Sequence, residues 1–170
     1  MQTIVGGIPS VLKNHWSLMA LVLSERRERP PVVFDKFKIK TYSLWDLYLH
    51  KNQFPYVGRC YAAAKRENAA KITDMTPEEG AELFNIIIPE WDKSISALFQ
   101  HDWPNVAILG NDWPHLHAHL IPRYSTPRTV QGIEFVDPNP KGNYSPYPKK
   151  ELPLELLLQI RDSINKNLHQ

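Results

Sequence analysis

Three histidines recur at every second position over residues 115–119, which read His-Leu-His-Ala-His. Alternation of polar and apolar residues with a period of two is typical of a half-buried strand. We therefore expect Leu116, Ala118 and Leu120 to point into a core, and the three imidazoles to lie in a row on the opposite face. Each ring has nitrogens that need hydrogen-bond partners, so the row suits chemistry better than packing.

Nucleophilic attack on phosphorus is the chemistry that such a row favours. An imidazole titrates near neutral pH and can form a covalent intermediate. His117 is the best-placed nucleophile, because His115 and His119 flank it and can donate hydrogen bonds to phosphate oxygens or to the leaving group. A backbone carbonyl nearby can hold one ring nitrogen as a donor and leave the other free.

Two other interpretations of the row are weaker. Two histidines at alternate positions of a strand can bind zinc. The outer pair, however, would lie about 13 Å apart along an extended chain, and no Cys-x-x-Cys pattern supplies a further ligand. We predict no metal site, and a metal-binding protein is the least favoured function. The other interpretation is that the three histidines lie on a solvated strand face and have no function. Their strict alternation disfavours it.

Composition limits the class of protein. A chain of 170 residues fits one domain with a substantial core. The formal net charge of +2 is too small to predict nucleic-acid binding through phosphate contacts. The single cysteine, Cys60, excludes an intrachain disulfide, and no apolar run reaches the about 18 residues of a spanning helix. We predict a cytoplasmic protein with no membrane partner and no specific nucleic-acid partner.

Two regions can be distinguished along the chain. Apolar residues at helical spacing after Ser10 predict a helical extension over residues 1–34, which Pro30 and Pro31 end. The remainder, residues 35–170, predicts one α+β domain that contains the histidine row.

Strands are predicted where aromatic and β-branched runs stand between turn residues. They lie at residues 37–49, 59–65, 105–110 and 130–136, with the histidine strand at 115–124. Residues 137–150 contain four prolines and predict an extended loop.

Two further helices are predicted within residues 35–170, and the first of them has a strong start signal. Thr76 can cap it, Pro77 fits the first helical position, and Glu79 completes a capping box. Pro89 lies inside the helix and should kink it, because proline has no N–H. The apolar stripe that should face the core is Phe84, Ile87, Ile88, Trp91, Ile95 and Leu98. The second helix follows Pro153 and has its apolar side at Leu154, Leu157, Leu158, Ile164 and Leu168.

Residues 115–121, His-Leu-His-Ala-His-Leu-Ile, resemble the His-φ-His-φ-His-φ-φ signature of the histidine triad (HIT) superfamily of nucleotide hydrolases and transferases. Pro122 and Arg123 resemble the branch that includes dinucleoside polyphosphate hydrolases. The resemblance extends over residues 40–136 and the C-terminal helix. It implies an antiparallel sheet of about five strands carrying a long central helix and a C-terminal helix. It also implies a homodimer formed through the long helix and an edge strand.

The resemblance implies attack on the α-phosphate of a nucleotide conjugate of the dinucleoside polyphosphate or nucleoside phosphoramidate type. A covalent nucleotidyl-histidine would form and then pass to water or another acceptor. By position, His117 would be the nucleophile, the carbonyl of His115 would orient it, and the His115 and His119 side chains would bind the phosphate or leaving group. The motif requires no cofactor, although a divalent metal can accompany the substrate phosphates.

The turn before the triad departs from the family pattern. Many members have a loop ending in Gly-Gln-Ser or Gly-Gln-Thr, whereas residues 110–114 read Gly-Asn-Asp-Trp-Pro. Asn111 is the expected substitute for the missing hydroxyl, and Asn105 is the second candidate. The altered loop leaves open a different function, that of a nucleotide-binding module with little or no catalysis.

Further substrate contacts are expected from the loop after the first strand and from the end of the triad strand. Asn52 is the expected ribose contact, and Gln53 beside it is a second candidate. Arg123 is a candidate for a phosphate or a second nucleotide, although an exposed arginine without function is favoured at a strand end. His50 and His101 are expected to be ordinary surface histidines.

Overall fold

A computed structural model describes residues 32–169 of the protein. The predicted N-terminal helix lies outside this range, so the boundary at residue 34 stays a prediction. A 3-10 helix, Val32–Phe37, leads into the sheet. Within the described range, no helix is long and apolar enough to span a membrane.

A five-stranded antiparallel sheet forms the centre of the fold. Its strands are β1 (Lys38–Thr41), β2 (Trp45–Leu49), β3 (Cys60–Ala64), β4 (Trp103–Ile108) and β5 (His117–Arg123). Their order in space is β1-β2-β3-β5-β4, so the triad strand β5 lies between β3 and β4. The α+β class and the antiparallel five-stranded sheet are confirmed.

The segment 37–49, predicted as one strand, is a hairpin of β1 and β2. The turn between them is stabilised by a residue far away in the sequence. The backbone N–H groups of Ser43 and Leu44 donate to the carboxylate of Glu82 at 3.0 and 2.7 Å. The turn contains no glycine, proline or asparagine, which are the residues that usually predict one. The prediction of a single strand is therefore wrong.

The segment 130–136, also predicted as one strand, is a hairpin of two short strands. These are β6 (Arg128–Val130) and β7 (Ile133–Phe135), which form a separate two-stranded sheet. Gln131 and Gly132 connect them with φ values of 50° and 75°. Positive φ at both central residues is typical of a tight two-residue hairpin turn.

The long central helix begins with the predicted capping box. Its segments are α1 (Pro77–Glu82), a π-helical turn (Leu83–Ile87) and α2 (Ile88–Phe99). Thr76 Oγ1 accepts from the backbone N–H of Glu79 at 3.2 Å, and the Glu79 carboxylate accepts from the N–H of Thr76 at 2.8 Å. Both bonds satisfy N–H groups that the first helical turn leaves without partners.

The π-helical turn changes which residues of the central helix face the core. Phe84 is 53% exposed, so its predicted place in the core is wrong, and Leu83 is buried instead. An extra residue in one turn rotates the apolar face relative to a regular helix. The turn ends two residues before Pro89, where a regular helix would need an N–H that proline lacks. The stripe residues that are buried are Ile87, Trp91 and Ile95.

The C-terminal helix α3 (Leu154–Leu168) follows Pro153, as predicted. Leu154 is 46% exposed, so its predicted place on the buried side is wrong. The buried side is formed by Leu156, Leu157, Ile160 and Ile164. With the central helix and one face of the sheet, this side encloses the main core. The triad strand contributes Leu116, Ala118 and Leu120 to that core, as the alternation predicts.

Candidate active site

The face of the sheet opposite the core brings aromatic and imidazole side chains together. Tyr61 of β3 pairs with His119 of β5, and Ala63 pairs with His117. Tyr48 of β2 pairs with Tyr61, and their rings stack at 5.1 Å between centroids. Directly opposite residues of paired strands share a face, so the sheet places the histidines beside a tyrosine pair.

The hydrogen bonds of His117 define its tautomer. Its Nδ1 lies 2.6 Å from the carbonyl oxygen of His115, and its Nε2 lies 3.2 Å from Nε2 of His119. A carbonyl only accepts, so Nδ1 of His117 carries the proton and Nε2 keeps a lone pair. Nε2–H of His119 then donates to that lone pair. The arrangement meets the requirement of a nucleophilic imidazole, one nitrogen fixed as a donor and the other free of a proton.

His115 lies just before β5, which begins at His117. Its Nε2 donates to the carbonyl of Ala64 at 2.7 Å, and its backbone N–H donates to the carbonyl of Trp113 at 2.8 Å. The Trp113 ring stacks on His115 at 4.6 Å and lies 4.8 Å from the His117 ring. Trp113 was expected only as part of a turn, yet it covers two rings of the triad.

The triad rings are neutral at physiological pH. Burial lowers the pKa of His115 and of His117 below the ordinary histidine value. Burial lowers the pKa of His119 to about 4, and the neighbouring His117 and the charge of Arg59 are smaller causes. A neutral imidazole is the nucleophilic form. Across residues 32–169, no group of three or more His, Cys, Asp or Glu side chains is arranged to hold a metal.

A fourth histidine lies beside the triad. The ring of His50 is 5.9 Å from that of His119, and its Nδ1 accepts from the backbone N–H of Asn52 at 3.1 Å. Burial and then the charge of Arg59 lower the pKa of His50 well below its ordinary value. The prediction of a surface histidine is wrong. Because Tyr48 and His50 alternate along the chain, their spacing alone was enough to place His50 on this face.

Comparison with solved structures identifies the fold. A histidine triad protein from Bradyrhizobium japonicum superposes with a TM-score of 0.63 at 17% identity, covering 83% of this chain and 97% of its own. One from Marinobacter aquaeolei VT8 gives 0.62 at 21% identity, covering 84% and 96%. The fold is that of the histidine triad proteins. A hypothetical histidine triad nucleotide-binding protein from Sulfolobus tokodaii gives 0.61 at 16% identity, covering 78% and 83%.

No family model matches the sequence. No curated protein matches it either. The histidine triad fold is therefore shown by structure at low identity, and the roles of single residues rest on their geometry here.

In this histidine triad fold, Gln53 holds the loop that carries His50. Its Nε2 donates to the carbonyls of His50 and Arg59 at 2.6 and 2.7 Å, and its Oε1 accepts from the N–H of Gly58 at 2.6 Å. Gln53 is fully buried, and its amide groups are engaged by the backbone. The backbone already engages these groups, and a contact from Gln53 to substrate stays a prediction. Asn52 is half-buried next to His50, and its role as a ribose contact stays a prediction.

The end of the triad strand is occupied by a buried ion pair. Arg123 is 3% exposed, so the exposed arginine favoured at this position is wrong. Its Nε donates to Asp137 Oδ2 at 2.7 Å, and its Nη1 donates to Asn105 Oδ1 at 3.0 Å. Further bonds reach Asp137 Oδ1 and the carbonyls of Asn139 and Gly142. Arg123 and Asn105 are thus engaged with the fold, and a phosphate would have to displace one of these partners.

The remaining predicted residues do not join the triad cluster. Asn111 is exposed in the turn before the triad strand, so its phosphate contact stays a prediction. His101 is a structural residue on the helical side. Its Nε2 lies 2.8 Å from Asp92 Oδ1, and its ring lies 5.9 Å from the Trp91 ring. The prediction of a surface histidine is wrong for His101 as well.

Proposed function

We propose that this protein is a nucleotide hydrolase or nucleotidyl transferase that works through a covalent nucleotidyl-histidine on Nε2 of His117. The observation that supports the proposal is the 2.6 Å contact between Nδ1 of His117 and the carbonyl of His115. The contact leaves an unprotonated Nε2, and burial keeps the ring neutral by lowering its pKa. Such a nitrogen is a nucleophile at neutral pH.

The first step forms a bond between Nε2 of His117 and the α-phosphorus and breaks the bond from phosphorus to the leaving group. His119 lies 3.2 Å from the attacking nitrogen, so its Nε2–H can turn to donate a hydrogen bond to the leaving atom. A phosphate leaving group departs as an anion, and an amine leaving group takes up one proton from solvent. The modified ring is positively charged, and its Nδ1–H bond to the carbonyl of His115 stabilises that charge. In the second step, the oxygen of water or of another acceptor attacks phosphorus and releases its proton to solvent. The bond from phosphorus to Nε2 breaks, and the imidazole leaves as a neutral ring.

The substrate class follows from the same proposal. A nucleotide conjugate of the dinucleoside polyphosphate or phosphoramidate type provides a leaving group on the α-phosphate. The Sulfolobus tokodaii protein of this fold is described as nucleotide-binding, which supports a nucleotide ligand. The chemistry uses imidazole and backbone groups alone, and any divalent cation would arrive with the substrate phosphates.

The test is to trap the intermediate. Brief incubation with a nucleoside phosphoramidate or diadenosine polyphosphate, followed by acid-free mass spectrometry, should show one nucleotidyl group on His117. His117→Ala should lose at least about a thousandfold in turnover, because removing a nucleophile abolishes the covalent route. His169→Ala, at an exposed histidine near the C-terminus, is the matched control and should keep full activity. Equal turnover by His117→Ala and the parent would overturn the proposal.

A nucleotide-binding module with little or no catalysis is the second candidate. The observation that favours it is the position of Trp113, which packs on His115 and His117 while His117 is only 6% exposed. A module of this kind should bind AMP in calorimetry and show no turnover over a panel of conjugates. Turnover that rises in Trp113→Ala would instead show that the indole limits access to a competent nucleophile.

We propose that the protein forms a homodimer through the edge strand β4 and the central helix. Both elements present large apolar side chains to solvent in the single chain, and exposed apolar surface of this kind marks association sites. Those side chains are Trp103, Val106, Phe84 and Ile86. Light scattering should give twice the chain mass, and Val106→Lys should reduce it toward the monomer. A monomeric parent protein would refute the proposal.

A further inference from the structure

Arg59 is buried on the triad face, and no carboxylate within residues 32–169 forms an ion pair with it. Arg59 is 4% exposed. Its Nη1 donates to the hydroxyl of Tyr147, and its Nε has no hydrogen-bond partner in the described part of the chain. Among the ion pairs of residues 32–169, none includes Arg59. A guanidinium stays protonated in proteins, so a full positive charge is held here with its Nε–H unused.

The sheet places this charge next to the triad. The backbone N–H of His50 donates to the carbonyl of Arg59 at 3.0 Å, which continues the ladder between β2 and β3. Arg59 precedes Tyr61 by two positions, and Tyr61 pairs with His119. Alternation along β3 therefore brings Arg59 to the same face, diagonal to His119. Its charge helps to lower the pKa values of His50 and His119.

A buried charge without a partner destabilises a protein, because it loses hydration and gains no ion pair. The surroundings of Arg59 provide only weak compensation. The rings of Tyr147 and Tyr144 lie 5.1 and 5.8 Å from its central carbon, where aromatic faces attract a cation. An anion that accepts from Nε and a terminal nitrogen would relieve this cost, and the guanidinium fork matches a phosphate in geometry.

We propose that Arg59 binds the second phosphate of the substrate, the one that is bonded to the α-phosphate on the leaving-group side. The inference rests on the proposed function, which places the α-phosphate at His117. His119 lies between them, since it contacts His117 and lies diagonal to Arg59. A phosphate chain that leaves past His119 would run toward the guanidinium. The site therefore favours substrates with a phosphate-chain leaving group over those with a neutral one.

Tyr147 gives the site a way to admit the phosphate. It lies in the segment 137–150, which contains no helix or strand. Moving its hydroxyl costs one hydrogen bond to Arg59, and a charge-assisted bond to phosphate replaces it. The guanidinium thus exchanges a neutral partner for an anionic one when substrate binds.

Calorimetry with AMP and ADP tests the inference, because ADP adds only the second phosphate. At low salt the wild-type protein should bind ADP about tenfold to a hundredfold more tightly than AMP, the range expected for charge-assisted bonds to one group. Arg59→Met should reduce this preference to less than about threefold and leave the affinity for AMP nearly unchanged. Arg59→Lys, which keeps the charge but loses the fork, should lie between the two.

Turnover provides a second measurement. Arg59→Met should lower kcat/KM for a diadenosine polyphosphate about tenfold or more, and that for a nucleoside phosphoramidate with a neutral amine leaving group less than about threefold. Equal wild-type affinity for AMP and ADP would overturn the inference and leave the proposed function intact, and so would an ADP preference that survives in Arg59→Met. Failure of the proposed function has a different signature, in which neither nucleotide binds and no adduct forms on His117. The wild-type comparison needs no variant, so it decides the matter even if Arg59→Met does not fold.

Discussion

Two arginines are buried on the same side of the sheet, and their surroundings differ in one respect. Arg123 and Arg59 are 3% and 4% exposed. Arg123 directs its donors at the carboxylate of Asp137, the amide oxygen of Asn105 and two backbone carbonyls. Arg59 has a tyrosine hydroxyl as a partner and an unpaired Nε. The two arginines are therefore equally buried but differently paired. The fold provides Arg123 with a countercharge and several acceptors, and it provides Arg59 with a single neutral acceptor.

The difference teaches that burial alone does not show what a charged residue is for. A charge with all its donors satisfied stabilises the arrangement around it, and a ligand would have to break that arrangement. A charge with unused donors costs stability in the free protein and can recover it only through a ligand. Arg123 matches the first description and Arg59 the second.

The largest expected effect is on stability. Asp137→Ala should lower the free energy of unfolding by about 3–5 kcal/mol, because it leaves the Arg123 charge buried without its partner. Arg59→Met should change it by less than about 1 kcal/mol in either direction, since it removes a charge that has no carboxylate to lose. Urea denaturation at neutral pH measures both variants. Equal destabilisation by the two substitutions would contradict the view that the fold depends on the pairing of Arg123 and not on that of Arg59.

The next effect is on pH dependence. The folded pKa of His119 is about 4, below the value of about 6.5 in an unfolded chain. The unfolded state therefore binds more protons in this interval, and stability should fall as the pH drops from about 6.5 to about 4. His50 should contribute in the same direction, because its pKa is also lowered.

Arginine substitution separates the causes of the His119 shift. Burial is the main cause and the charge of Arg59 a smaller one, so Arg59→Met should raise the pKa of His119 part of the way toward its ordinary value. Arg123→Met should leave it in place, because Arg123 is not among the causes of the shift. NMR titration of His119 in the three proteins measures this. An unchanged pKa in Arg59→Met would mean that the two charges are equally remote from the triad.

The smallest expected effect is on a single hydrogen bond. Tyr147→Phe removes the neutral partner of Arg59 and should cost about 0.5–1.5 kcal/mol of unfolding free energy. The same variant should bind ADP at least as tightly as the parent does, since the phosphate no longer displaces the hydroxyl. Tyr42→Phe, which removes a tyrosine hydroxyl bonded to Glu90, is the matched control and should leave ADP affinity unchanged. Weaker ADP binding in Tyr147→Phe would show that the Tyr147 hydroxyl contacts the bound phosphate and is not displaced by it.

Local sequence patterns were sufficient for much of this fold. The alternation around the triad predicts which side chains of β5 enter the core, and the capping box at Thr76 predicts the start of the central helix. Both depend on neighbours within a few residues. The turn at Ser43 and Leu44 could not be predicted in this way, because its partner, Glu82, is 39 and 38 residues away in the chain.

Within the candidate site, the sequence predicted the three histidines of the triad but not the residues around them. The triad and its orientation follow from spacing, whereas Trp113 and Arg59 acquire their positions from tertiary packing. Arg123 looked like an exposed strand end because its countercharge, Asp137, is 14 residues further on, beyond a hairpin and at the start of a proline-rich loop. Partners that are distant in sequence decide whether a charge is satisfied, and no local pattern carries that information.

The stacking of Trp113 on His115 gives the protein an internal optical probe. An excited indole loses its emission when a protonated imidazole lies against it, and the two rings here are 4.6 Å apart. Trp45 is enclosed in the core, so its emission should stay constant while that of Trp113 responds. The difference between the spectra of the parent and of Trp113→Phe should therefore follow protonation of the triad and occupancy of the site without a label.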